Sequence, residues 1–142
     1  MASQSFIQSR ERGKIAQRTL ADYLRSTGVG VQEVEDGFFP DFDLLLSTGK
    51  TIEVKYDQRA SDTGNFCLEI EALDHSLADV LAIAYGSPIQ AYYMLPLDKA
   101  RKFALDWPLK KYVGEFGLEA AIVSRSLFCE LLKPEIIELR TS

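Results

Sequence analysis

Apolar and polar positions alternate along this chain with two different periods, and each change of period marks a change of element. Ile7, Ile15, Leu20, Tyr23 and Leu24 recur at broadly helical spacing, so Phe6 to Ser26 reads as an amphipathic helix stopped at Gly28. Val29 to Glu35 reads as a short strand. From Phe42 the period becomes two: Phe42, Leu44 and Leu46 share one strand face, while Asp41, Asp43 and Leu45 share the other. A second run places Ile52, Val54 and Tyr56 together and turns Glu53 and Lys55 to the reverse face.

Further on, 57–65 is polar and contains glycine, which predicts a loop. Phe66 to Glu71 alternates as a third strand with Glu69 and Glu71 on one face, and 74–79 predicts a turn or short helix. Val80 to Tyr85 and Gln90 to Leu95 are apolar, β-prone runs around Gly86-Ser87-Pro88. That break makes them two buried strands rather than a membrane span. Leu97 to Ala104 predicts a helix, 107–117 carries no clear period, 120–123 suits a strand, and Pro134 fits the first turn of a C-terminal helix through Leu139. No repeat, linker or low-complexity tract interrupts the 142 residues, so the expectation is one domain spanning 1–142. Its class is α/β, with a mixed central β-sheet flanked by helices.

The first hairpin carries the chemistry. A three-residue loop, Ser47-Thr48-Gly49 with Gly49 left-handed, pairs Leu46 with Lys50 and hence Asp43 with Glu53. A two-residue Thr48-Gly49 turn would instead set Asp43 opposite Val54 and split the acids between faces. The three-residue loop keeps both apolar sets on one buried face, and it brings Asp43, Glu53 and Lys55 within reach of one metal ion and one water. Taken alone, Glu-Val-Lys on a strand is most often an ordinary solvated charge pair.

Composition narrows the chemistry further. The formal charge of −5 argues against a protein that coats nucleic acid without specificity, but not against a metal-dependent nuclease, whose acidic site is neutralised by its cation. The basic residues are clustered: Arg10, Arg12, Lys14, Arg18 and Arg25 near the N-terminus, then Lys99, Arg101, Lys102, Lys110 and Lys111. Either group suits phosphate contacts, and solvated helix faces serve as well for the second. His75 is the single histidine, which removes His-based metal sets and serine-type triads. Cys67 and Cys129 lie among apolar residues and read as buried, reduced thiols, consistent with a cytoplasmic location; the N-terminus shows no signal-peptide pattern. Tyr92, Tyr93 and Trp107 could stack on bases, with core packing expected for at least two of them.

The order of helix, hairpin with Asp and then Glu-x-Lys, third strand and further apolar strands resembles the PD-(D/E)xK nuclease superfamily. Asp43 or Asp41 stands as the first acid, Glu53 as the second and Lys55 as the lysine. Gly13-Lys14-Ile15-Ala16-Gln17 looks like the Gly-x-x-x-Glu that opens resolvase-like members, with Gln17 in place of the acid. The stretch from Thr63 to Glu71, followed by Ala78-Asp79, is similar to small phage-encoded nucleases of the superfamily. Matching Pro-Asp literally selects Pro40-Asp41, whereas spacing to the turn favours Asp43.

The resemblance implies a restriction-endonuclease-like core and a Mg²⁺-dependent DNA endonuclease, with Mn²⁺ as a substitute cation. It further implies a structure-selective enzyme that acts on Holliday junctions or branched DNA as a homodimer, in the host cytoplasm if phage-encoded. Asp43, Glu53 and the Val54 carbonyl would hold the metal, with Asp41 as an alternative ligand. Lys55 would orient the attacking water and offset phosphate charge, and Gln17 could hydrogen-bond that water. A lysine side chain, with an ordinary pKa of about 10.4, makes a poor general base at neutral pH. Arg10, Arg12, Lys14, Arg18 and Asn65 would contact DNA. The competing reading is a nuclease-fold module that binds DNA or a protein without cutting; a third, weaker reading is an unrelated small metal enzyme.

Overall fold

The computed structural model describes residues 4–34, 42–57, 60–108, 110–113 and 117–139, and leaves the side chains of 4–10 and 61 outside that description. The chain runs α1 (Gln4–Ser26), β1 (Val31–Glu33), β2 (Leu44–Leu46), β3 (Thr51–Tyr56), α2 (Ala60–Thr63), β4 (Asn65–Glu69), α3 (Ile70–His75), β5 (Val80–Tyr85) and β6 (Ala91–Pro96). It continues through α4 (Leu97–Asp106), β7 (Lys110–Val113), β8 (Leu118–Ser124), α5 (Arg125–Leu132) and β9 (Glu135–Glu138). Six strands form one mixed sheet in the order β1-β2-β3-β5-β6-β9, and three form a second sheet, β4-β8-β7. The expected α/β class with a mixed central sheet is what the chain adopts. No described helix is long and apolar enough to cross a membrane.

The two faces of the large sheet are covered differently. Alternation sends Leu44, Ile52, Val54, Ala82, Ala84 and Tyr92 to one side, where Ala16, Leu20 and Ala21 of α1 seal them. Ala82 and Ala84 are fully buried, and their small side chains let the helix lie close to the sheet. Leu81, Ile83, Tyr93 and Leu95 point the other way, into a larger core shared with α3, α4, α5 and the small sheet. Phe66 is the hub there, with edge-to-face contacts to Tyr93 and Phe128 at centroid distances of 5.2 and 5.0 Å.

Among the described strands β3 and β5 are the one parallel pair, with Ile52 opposite Val80 and Glu53 opposite Leu81. Parallel strands need a crossover, here supplied by α2, β4 and α3. Both strands begin at a side-chain clasp: Asp79 Oδ2 accepts from the Thr51 amide at 3.0 Å and from its hydroxyl at 3.2 Å.

Several expectations are corrected. The third strand ends at Glu69 rather than Glu71, belongs to the small sheet, and runs straight into α3, so Glu71 is helical. The expected loop over 57–65 contains α2, whose Ala60 is buried in the core. The C-terminal helix expected after Pro134 is a strand, β9, paired with β6 from Ala91↔Glu138 to Met94↔Glu135. The helix lies earlier, as α5, where Ser124 caps by accepting from the Leu127 amide at 3.2 Å. Cys67 and Cys129 are half-buried rather than fully buried, and neither is in a disulfide.

Tyr92 ties the α1 layer to the sheet. It is fully buried, and its hydroxyl donates to the Ala16 carbonyl at 2.7 Å. Tyr92→Phe removes this second donor from a carbonyl in the interior of α1. The expected cost is about 1–2 kcal/mol, a fall in Tm of roughly 3–8 °C. Thermal and urea unfolding of the pair check this; unchanged stability would mean the bond contributes nothing net.

Candidate active site

The hairpin takes the register that the three-residue loop predicts. Gly49 is left-handed at φ 93°, its amide donates to the Leu46 carbonyl at 2.9 Å, and the Leu46 amide donates to the Lys50 carbonyl at 2.8 Å. Leu44 pairs with Ile52 and Leu45 with Thr51, and the regular pairing ends at Leu44. β2 stops at that point. Where a continued ladder would bring the residue-42 carbonyl to the Val54 amide, Asp43 Oδ2 accepts from that amide instead, at 2.8 Å. The Asp43 backbone stays tied in, donating to the Ile52 carbonyl and accepting from the Val34 amide, each at 2.9 Å. One carboxylate oxygen is thereby anchored to β3 beside Glu53.

Glu53 is largely enclosed, its side chain 15% exposed. Lys55 Nζ lies 3.5 Å from its Oε1, and the Ser76 hydroxyl donates to its Oε2 at 3.3 Å. Burial pushes the Glu53 pKa above its ordinary 4.5, and the negative charge of Asp43 pushes it further. Lys55 and the Ser76 bond act in the opposite sense without cancelling the rise. Two acids and one half-exposed lysine on a partly dehydrated face leave a local deficit of positive charge.

Ser76 and Arg101 are contributors that pattern reading did not single out. Ser76 is buried, and its Oγ also accepts from the Ala78 amide at 3.3 Å, which fixes the hydroxyl at the end of α3. Arg101, on α4, caps the same end: its Nη2 donates to the Leu73 carbonyl at 2.9 Å and to the Ser76 carbonyl at 3.0 Å. Its sequence signal, one arginine among Lys99 and Lys102, matches that of a solvated face. The second basic cluster is thus largely structural, since Lys99 and Lys110 also donate to backbone carbonyls, of Leu132 and Trp107.

The other expected residues divide. Asp41 lies outside the described residues, as does the side chain of Arg10. Val54, whose carbonyl was the expected backbone ligand, sits between Glu53 and Lys55 and gives its amide to Asp43. Gln17 is half-buried on α1, the helix that covers the Ile52 and Val54 face, opposite to Glu53 and Lys55. Arg18 lies 3.6 Å from Glu33, and Lys14 is exposed. Arg12 and Asn65 do come together with Lys55: all three line a cavity of about 640 Å³ that also touches Asp57 and Glu69. Tyr92 is core, while Trp107 is half-buried against Phe103 at a centroid distance of 5.0 Å, its Nε1 donating to the Ile122 carbonyl.

Among the described residues no group of three His, Cys, Asp or Glu side chains gathers as a metal cage. Mg²⁺ does not require one: it takes one or two carboxylates and completes its octahedron with waters and substrate oxygens. Asp43 and Glu53 fit that cation and, without nitrogen or sulfur donors, do not fit structural zinc.

Comparison with known proteins finds no matching family model and no matching curated protein. Solved structures do match. A bacterial homing endonuclease aligns at TM-score 0.55 and 17% identity, covering 88% of this chain and 78% of its own. Hjc, a Holliday junction resolvase from the archaeal hyperthermophile Archaeoglobus fulgidus, aligns at TM-score 0.54 and 16% identity, covering 90% and 92%. The chain has the restriction-endonuclease-like fold that the PD-(D/E)xK resemblance implies.

Removing the buried charge tests the deficit. A carboxyl whose folded pKa is raised costs the ionised native state stability, in full above the folded pKa and not at all below the ordinary 4.5. Glu53→Gln without metal is therefore expected to melt about 3 °C higher than the parent near neutral pH. The gap should close as pH falls through the raised pKa. Added Mg²⁺ should narrow it too, by stabilising only the parent. Thermal scans across pH decide: a variant that melts lower than the parent at neutral pH contradicts the charge deficit.

Proposed function

We propose that this protein is a Mg²⁺-dependent DNA endonuclease. The observation that carries the reading is the meeting of Asp43, Glu53 and Lys55 on one hairpin of a restriction-endonuclease-like fold. Asp43 and Glu53 would hold the cation, with the Val54 carbonyl as backbone ligand and Asp41 as an alternative acid. Bound there, Mg²⁺ supplies a Lewis acid for a phosphate oxygen and a source of hydroxide at neutral pH.

The protein's own groups do the positioning. Glu53, fixed from one side by Ser76, presents its other oxygen toward Lys55. Lys55 lies next to the place where charge develops, so it orients the attacking water and offsets the phosphate rather than abstracting a proton. Arg12 and Asn65 stand on the same side and are the first choices for strand contacts, followed by Lys14 and Arg10. Arg18, committed to Glu33, contributes less.

A structure-selective enzyme acting as a homodimer on branched DNA is the finer form of this reading. The likeness to a junction resolvase supports it, and two cuts on opposing strands would require two sites. A non-cutting DNA- or protein-binding module is the alternative, favoured by Gln17 in place of an acid. The decisive experiment incubates labelled linear duplex, single-stranded and four-way-junction DNA with Mg²⁺ or Mn²⁺. Cleavage is expected to vanish with EDTA and to fall about 10²–10³-fold in Glu53→Gln and in Lys55→Ala. Paired nicks in the junction would support the resolvase form. Binding without cutting by the parent protein would replace the nuclease with the binding module.

A further inference from the structure

The cavity beside Lys55 has walls unlike those of a phosphate groove. It measures about 640 Å³, within the range of roughly 300–1,000 Å³ that accommodates organic ligands. Half-buried Tyr56, Ala72, Val113 and Ile122 supply its apolar surface, with Phe66, Leu68, Leu81 and Ile83 packed in the core behind. Among the described residues its cations, Lys55 and Arg12, are outnumbered by three acids, Asp57, Asp62 and Glu69. A polyanionic backbone threaded through it would meet those carboxylates. A neutral, flat group with hydrogen-bond donors would not: carboxylates accept from the exocyclic amines of bases, Asn65 can both donate and accept, and apolar walls suit a ring face.

We infer that the cavity lined by Lys55, Tyr56, Asn65, Glu69 and Ile122 receives one unstacked nucleobase of the bound strand, adjacent to the phosphate held at Asp43 and Glu53. This rests on the nuclease reading for the neighbouring phosphate, but the base site has its own readout. Lys55 spans the two regions: it lines the cavity and lies 3.5 Å from Glu53. A nucleotide with its phosphate at the acids and its base in the cavity has to leave the duplex stack, so the site selects unpaired or distorted strands. Unstacking costs least where pairing is already broken, which turns the cavity into a preference for branched or single-stranded substrate.

Cys67 also lines the cavity, whereas Cys129, on α5, is not among its lining residues. The test follows alkylation of both thiols by mass spectrometry, with Ca²⁺ replacing Mg²⁺ to prevent cutting. Millimolar nucleoside 5′-monophosphate should slow Cys67 about fivefold and leave Cys129 unchanged, while ribose 5-phosphate should have no effect. A single-stranded oligonucleotide should protect at lower concentration than the mononucleotide, and its fully paired duplex should protect less. Ala72→Phe, placed in the cavity wall, should abolish Cys67 protection. Equal protection by ribose 5-phosphate, or none by any nucleotide, overturns the base site. Protection by the mononucleotide alone reassigns the cavity to free nucleotides and overturns the strand assignment. Protection as expected in a protein that cuts no DNA leaves the base site standing and removes the nuclease reading.

Discussion

A glycine turn sets the geometry on which the candidate site depends. Gly49 at φ 93° closes the three-residue loop, and nothing lies within 4 Å of where its Cβ would stand, so only backbone conformation restricts the position. A shift of one residue in that register would exchange the faces of β3, sending Ile52 and Val54 outward and Glu53 into the α1 interface. Burial of Leu44 against Ile52 resists the shift. Core and chemistry are thereby locked to one choice of turn.

β3 serves two environments at once. Toward α1 its side chains enter a dry layer of alanines, leucines and Tyr92; toward α3 its acids meet a hydroxyl, a lysine and an open cavity. The second environment is built by elements remote in sequence. Arg101 of α4 holds the last carbonyls of the α3 end, which fixes Ser76, which in turn holds Glu53. The carboxylate whose ionised form is disfavoured by burial is thereby braced by a hydroxyl. Stability given up locally for a charged site is a common feature of functional centres.

The hairpin, α1 and the β5–β6 pair were legible because each is specified by its own residues: period two with a glycine turn, helical spacing with a glycine stop, and two apolar runs about a Gly-Ser-Pro break. The elements that were missed answer to distant partners. Pro134 is as compatible with a strand start as with a helix start, and only pairing of Ile136 and Ile137 with Tyr93 and Tyr92 selects the strand. α5 ends on Lys133 in the left-handed conformation, at φ 48°, where glycine would have marked the stop. Glu69 and Glu71 continue an alternation in sequence that the turn into α3 interrupts. In the site, Asp43, Glu53 and Lys55 could be placed together from register alone. Ser76 could not, because its contact with Glu53 depends on the crossover, and the acidic cavity depends on how the small sheet sits beside β3.

The position of β9 bears on how the chain reaches this state. β6 acquires its outer neighbour only from the last described strand, so before β9 docks, Ala91 to Pro96 presents an apolar, β-prone edge with unsatisfied amides. Such an edge is a template for pairing with a second chain. The parallel β3–β5 pair, joined across a long crossover, forms slowly by the same loop-closure reasoning. During synthesis the sheet therefore has an interval in which its β6 border is open. Glu135 and Glu138, at the two ends of the closing strand, place charge on the final edge and make it a poor partner for further strands.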